Sequence, residues 1–218
     1  ITPEKLEFGK GYSLKEVSAP YGYVLSHEAV KFDVTEENST EESGVTIVAV
    51  KLGNYAQKGI IKISKTGEVF ASVTAADGVY QPVYTVQGLA GATYEIKATE
   101  DIYTPDGTLR CSAGEVVDTV TTGADGMAES KPLYLGKYEI TEMKAPDGMV
   151  INKDAHTAEL VYAGQEIEIT ETAASFCNDR QKARISLSKV LEQNKQFGIG
   201  MNNELSAVTF GFYAAEEL

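Results

Sequence analysis

Lys65, Glu142 and Asn178 have types and placements that could carry chemistry. Lys65 ends the run Ile61-Lys62-Ile63-Ser64-Lys65, whose alternation puts the lysine on the same side as the two isoleucines. Glu142 shares a side with Tyr138 and Ile140, and Asn178 shares one with Phe176. Each is therefore a polar group on an apolar face. A buried ammonium is costly unless it is paired, neutralised or consumed by reaction. The residues alone fit better with an ordinary Lys–Glu ion pair beside an amide, or with strand-end charges that reach water, since charge at strand ends is common and usually solvated.

The elements that must position them read as strands. Strand-like runs are expected at Gly59 to Thr66, Ala92 to Glu100, Glu115 to Thr121, Met127 to Leu133, Lys137 to Lys144, His156 to Tyr162 and Glu166 to Cys177. Between them stand turn formers such as Asp77-Gly78, Pro105-Asp106-Gly107 and Pro146-Asp147-Gly148. Seven short strands in about 125 residues predict an all-β sandwich with little helix. The longer stretch from Glu68 to Gly88 predicts an added ribbon.

The same phrases recur at offset positions. "YSLKEVSAPYGYVL" at Tyr12 to Leu25 matches "YEITEMKAPDGMVI" at Tyr138 to Ile151, and "QKGIIKISK" at Gln57 matches "QKARISLSK" at Gln181. "LAGATYEIKATEDI" at Leu89 aligns with "LSAVTFGFYAAEEL" at Leu205. Such periodicity predicts tandem modules. Residues 1–57 read as the back part of one module, 58–182 as a complete module and 183–218 as the front part of a third. The sequence is thus expected to begin and end within modules of a longer array.

The phrases "IKISK", "GLAGATYEI", "GEVVDTVTTGADG", "LYLGKYEITEMKAPDGM" and "FCN" follow one another in an order that resembles the Cna-B-type, or SpaA-type, domains of Gram-positive pilins and surface adhesins. The resemblance covers nearly all of residues 58–182, and the flanking parts piecewise. It implies a seven-stranded prealbumin-like, or inverse-immunoglobulin, sandwich. It also implies a self-made isopeptide bond between a first-strand lysine and a last-strand asparagine, with a catalytic carboxyl group. Lys65, Asn178 and Glu142 fall on those positions. Glu16 and Asn54 would play the carboxyl and acceptor roles in the first part, and Lys189 the lysine role in the third, each with its partners outside this sequence.

What the resemblance implies has a physical basis. Burial would make Lys65 a neutral amine, hence a nucleophile, and the sandwich would hold it against the Asn178 carbonyl. Glu142 would polarise that carbonyl and shuttle the proton that lets ammonia leave. The reaction is single-turnover, needs no cofactor or metal, and does not make the protein an enzyme. The implied role is a structural stalk on the cell surface or cell wall of a Gram-positive bacterium. Its implied partners are neighbouring modules and other subunits of a fibre. An alternative is an adhesin module that recognises a host protein or glycan through loops, with Tyr80 and Tyr84 on the ribbon as contacts.

Composition restricts the remaining choices. A net charge of −13 argues against binding nucleic acid or an anionic membrane. No apolar run approaches a membrane span. Cys111 and Cys177 are too few for a disulfide framework, which leaves a single bridge or two free thiols. The acids around 101–106 and 118–125 lack calcium-loop spacing, and His27 and His156 lack companion ligands. Neither a thioester, paired glycosidase carboxylates, a Ser/His/Asp order nor a phosphate loop is indicated.

Overall fold

The chain, examined as a computed structural model, is described at residues 6–42, 45–76, 78–198, 200 and 203–211. It divides into two units, Ile1–Gln181 and Lys182–Leu218.

In the first unit, β1 (Gly9–Lys15) pairs antiparallel with β2 (Ala29–Val34), and β3 (Thr40–Glu42) with β4 (Val45–Ile47). A sandwich follows. Its elements are β5 (Lys58–Ala76), β6 (Val79–Gly88), β7 (Thr93–Ala98), β8 (Ile102–Tyr103), β9 (Leu109–Cys111), β10 (Val116–Thr121), β11 (Met127–Glu129), β12 (Leu133–Tyr134), β13 (Gly136–Lys144), β14 (His156–Leu160) and β15 (Ile169–Asn178). One sheet runs β10-β7-β13-β14; in the other, β5 pairs with β11, β12, β15 and β6.

The alternation seen in the sequence becomes the core. Ile61, Ile63, Ala174 and Phe176 from one sheet meet Tyr94, Ile96, Tyr138, Ile140 and Leu160 from the other. Each such large side chain contributes about 1.5–3 kcal/mol on full burial. The first and last strands of this sandwich, β5 and β15, run parallel and adjacent, with Ile63 beside Ala174, Lys65 beside Phe176 and Gly67 beside Asn178.

Some elements differ from the sequence expectation. The run Met127 to Leu133 is two strands, because Pro132 has no N–H and Ser130 takes over the ladder there. Ser130 Oγ accepts from Ile61 N–H at 2.9 Å, and Ser130 N–H donates to Ile61 O at 3.0 Å. Strand β5 does not end near Thr66 but continues to Ala76 as one arm of the expected ribbon with β6. A short β8–β9 hairpin fills a stretch left without strands.

The sequence repeat is also a structural one. Tyr23 bridges Ala56 and Met149 bridges Arg180. Val24 N–H donates to Tyr55 O as Val150 N–H does to Asp179 O, both at 2.9 Å; Gln57 N–H donates to Gly22 O as Gln181 N–H does to Gly148 O, both at 2.8 Å.

In the second unit, the described residues contain one 3-10 turn, Glu204–Ala207, and no strand. The strand expected to end at Lys189 is absent, and residues 183–190 are exposed. The run that forms β5 is held by four neighbouring strands, and no strand accompanies this copy among the described residues. Residues 212–218, part of the third repeat match, lie outside the described residues.

Candidate functional site

Lys65 enters the site from β5, Glu142 from β13 and Asn178 from β15, so both sheets contribute. All three are buried, at 0, 3 and 3 % exposure. The Lys65 backbone is fixed on both sides: its N–H donates to Gly126 O at 2.8 Å and its carbonyl accepts from Leu89 N–H at 2.9 Å. Gly126 has φ +78, and a Cβ there would lie 2.4 Å from Lys65 O, so only glycine fits.

Glu142 is the hub. Lys65 Nζ lies 2.9 Å from its Oε1. Asn178 Nδ2 donates to both carboxylate oxygens, at 3.2 and 3.0 Å. The backbone N–H of Asn152 donates to Oε2 at 2.6 Å, and the Tyr94 hydroxyl donates to Oε1 at 3.5 Å. Among the described residues two buried side-chain polar atoms are left without a hydrogen bond, Lys65 Nζ and Asn178 Oδ1. The amine is thus within ion-pairing distance of the carboxylate but not aligned to donate to it. A buried unsatisfied group costs roughly 1–3 kcal/mol, more if charged, so both atoms are held in the core at a cost.

Aromatic rings enclose the amine. Lys65 Nζ sits 5.8 Å from the Tyr94 ring centre and 5.9 Å from that of Phe176, whose rings pack at 4.6 Å. The His156 ring lies tilted against Phe176, with ring centres 4.3 Å apart. Burial, then the Glu142 charge and hydrogen bond, push the Tyr94 phenol well above its ordinary range, so it stays a donor.

The first part repeats half of this arrangement. Asn54 Nδ2 donates to Glu16 Oε2 at 2.7 Å and to Val24 O at 3.0 Å, and Ser26 N–H donates to Glu16 Oε2 at 2.9 Å. Ser26 and Asn152 occupy the same repeat position, 126 residues apart, as do Glu16 and Glu142. Lys189 is exposed and joins no such cluster among the described residues. Cys111 and Cys177 are both free thiols, with Cys177 turned outward between buried Phe176 and Asn178.

Sequence reasoning missed Tyr94 and the Asn152 N–H. The alternation of Tyr94 with Ile96 carried the first signal. A backbone donor has no side-chain signature, and only the Glu16–Ser26 and Glu142–Asn152 spacing could have exposed the second.

The SpaA prealbumin-like fold domain model matches residues 1–48 and 83–173, more than half of the chain. The chain belongs to this family. Glu16 and Glu142 lie inside the matched residues, and Asn54, Lys65 and Asn178 outside them. The trypsin-resistant surface T6 protein of serotype M6 Streptococcus pyogenes is 32% identical over 74 residues, 33% of this chain and 14% of that protein. Among solved structures, the Bacillus anthracis TIE protein is 27% identical, covering 78% of this chain and 25% of its own, with TM-score 0.43. The major pilin SpaD of Corynebacterium diphtheriae is 21% identical over 57% of this chain and 30% of its own, with TM-score 0.37. The SpaA-family chain therefore spans less than a third of the length of each of these relatives.

Proposed function

We propose that the chain is a segment of an extracellular stalk on the cell wall of a Gram-positive bacterium. In this reading residues 58–182 form one module, locked by a bond between Lys65 Nζ and Asn178 Cγ; residues 1–57 and 183–218 belong to its neighbours. The observation that carries the reading is the buried Lys65–Glu142–Asn178 cluster, in which Lys65 Nζ and Asn178 Oδ1 make no hydrogen bond.

The chemistry starts when the Lys65 ammonium turns a proton toward Glu142 Oε1, 2.9 Å away, and passes it across, leaving a neutral amine beside a carboxylic acid. Nζ attacks Asn178 Cγ and forms the new C–N bond. The amide nitrogen facing the carboxyl group at 3.0 Å then takes a proton from it. As the Cγ–Nδ2 bond breaks, ammonia leaves, and the second Nζ proton completes the balance through the same carboxyl group. Of the two roles expected from the sequence, this geometry favours the proton shuttle to the leaving nitrogen over polarisation of the carbonyl. The fold supplies proximity in place of an encounter. Nothing turns over afterwards, so the protein is not an enzyme.

The bond suits a load-bearing role. Tension entering at Lys58 would pass along β5 to Lys65, cross to Asn178 and leave at Gln181, bypassing everything between. Glu16 and Asn54 would serve a lysine supplied by the preceding part of the first module, and Lys189 would act in the third module with its partners.

Single-molecule pulling from the two ends tests the stalk. The expected trace lacks the roughly 400 Å of extension that the 110 or so residues between Lys65 and Asn178 would release. An unfolding step of that length would overturn the reading. A second reading, a binding module, draws on the ribbon, where Phe70, Val73, Tyr80 and Val86 are exposed. Retention of the chain on host matrix proteins or glycans, lost with Tyr80→Ser, would favour it.

A further inference from the structure

The structure holds one arrangement that the cross-link does not use: the contact between the Ala19–Leu25 turn of the first part and the loop that joins β14 to β15. Gln57 stands where the two parts meet. Its side chain is 1 % exposed, yet it precedes β5 and belongs to no apolar face. The carboxamide Nε2 donates to Gly164 O at 2.9 Å and also to Ile167 O, while Oε1 accepts from Ala163 N–H at 2.8 Å. Three hydrogen bonds from one buried side chain thus fix the backbone of this loop more than a hundred residues away in sequence.

The loop so held presents Gln165 to the turn. Gln165 Oε1 accepts from Ala19 N–H at 2.8 Å, and Gln165 O accepts from Leu25 N–H at 2.9 Å. Tyr21 packs on Tyr162 at 4.6 Å, and His27 Nε2 lies 3.1 Å from Glu166 Oε2. Gly22, at φ +85, sits so close to the β8–β9 loop that a Cβ would lie 2.5 Å from Pro105 Cγ.

The chain contains its own control. The turn at Ala145–Ile151 repeats the one at Ala19–Leu25, with Gly148 at φ +75. Nothing among the described residues lies within 4 Å of a Cβ built on Gly148, and Ile151 is 36% exposed where Leu25 is 9%. Among the described residues the Ala145 and Ile151 N–H groups have no acceptor, and Gln181, the repeat of Gln57, is exposed.

We propose that the loop at residues 162–167 is a docking plug for the Ala-Pro-x-Gly turn of the preceding module, and that Gln57 is the positioning residue that presets it. The plug fixes the angle between successive modules. The inference rests on the module assignment and is independent of the Lys65–Asn178 bond, so it stands or falls separately.

Amide hydrogen exchange on the whole chain tests it, together with residual dipolar couplings for residues 9–34 and 93–140. The Ala19 and Leu25 amides should be protected, and Ala145 and Ile151 should exchange freely. Gln57→Leu should speed exchange at Leu25 by about ten-fold or more and separate the alignment of the two parts, leaving Ile96 and Ile140 protected. Gln165→Ala, which leaves Gln57 in place, should release Ala19. Equal protection at Leu25 and Ile151 would overturn the proposal, as would unchanged couplings in both variants. So would loss of protection throughout the sandwich in Gln57→Leu with Ala19 still protected in Gln165→Ala.

Discussion

Replacing Glu142 by glutamine separates the chemistry of the site from its shape. The side chain keeps its size, so the packing of Tyr94 and Phe176 is undisturbed, but the group loses its charge and its capacity to relay a proton. Asn152 N–H, at 2.6 Å, and Asn178 Nδ2, at 3.0 Å, would meet at best a neutral acceptor, and Lys65 would lose the carboxylate 2.9 Å away. Removing one partner of a buried ion pair costs about 3–5 kcal/mol. Loss of a cross-link closing a loop of this length adds about 5 kcal/mol on the disulfide entropy model, whose mechanism is disputed. For a module of about 125 residues, with a Tm change of about 4 °C per kcal/mol, the cross-link alone is worth about 20 °C. Calorimetry and intact mass should be read on the same samples. Glu142→Gln is expected to fold, to keep its ammonia, and to melt at least 20 °C below the native protein. Lys65→Met, which removes amine and charge together, should lose the cross-link share with less of the ion-pair share. A Glu142→Gln protein that still sheds ammonia at the native rate would refute the role given to the carboxyl group.

Three other outcomes follow from the same geometry. Gly126→Ala forces a Cβ against Lys65 O at a positive φ and should cost more than about 2 kcal/mol, with slower bond formation by timed mass spectrometry. Ser130→Ala leaves the buried Ile61 N–H without its acceptor and should lower stability by about 1–3 kcal/mol in urea titrations, leaving the bond intact. Tyr94 and Tyr138, whose phenols burial pushes above their ordinary value of 10.0, stay protonated in the fold while the unfolded chain ionises. Their contribution is full below about pH 10 and lost as pH rises beyond it, so the urea midpoint should fall there and fall less in the Tyr94→Phe, Tyr138→Phe protein.

The site was legible where periodicity carries information. Alternation along Ile61–Lys65 and Phe176–Asn178 put the lysine and asparagine on inward faces, and the Tyr138–Ile140–Glu142 series did the same for the carboxylate. A buried polar residue in a strict period-2 pattern is visible because the pattern is set by its neighbours. Gln57 was not visible in that way: it stands before the strand begins, and its partners are backbone groups of a distant loop. The same alternation misled at residues 183–190, because an amphipathic run becomes a strand only when a neighbouring strand takes its hydrogen bonds. The break at Pro132 was legible in principle, since proline cannot donate to the ladder β5 offers.

The most direct measurement is the intact mass of the folded chain without substitutions, followed by peptide mapping. The account predicts a mass lower than the sequence by one ammonia, with the loss located in a branched peptide that joins Lys65 to Asn178. The full sequence mass, with Lys65 and Asn178 recovered in separate linear peptides, would contradict it.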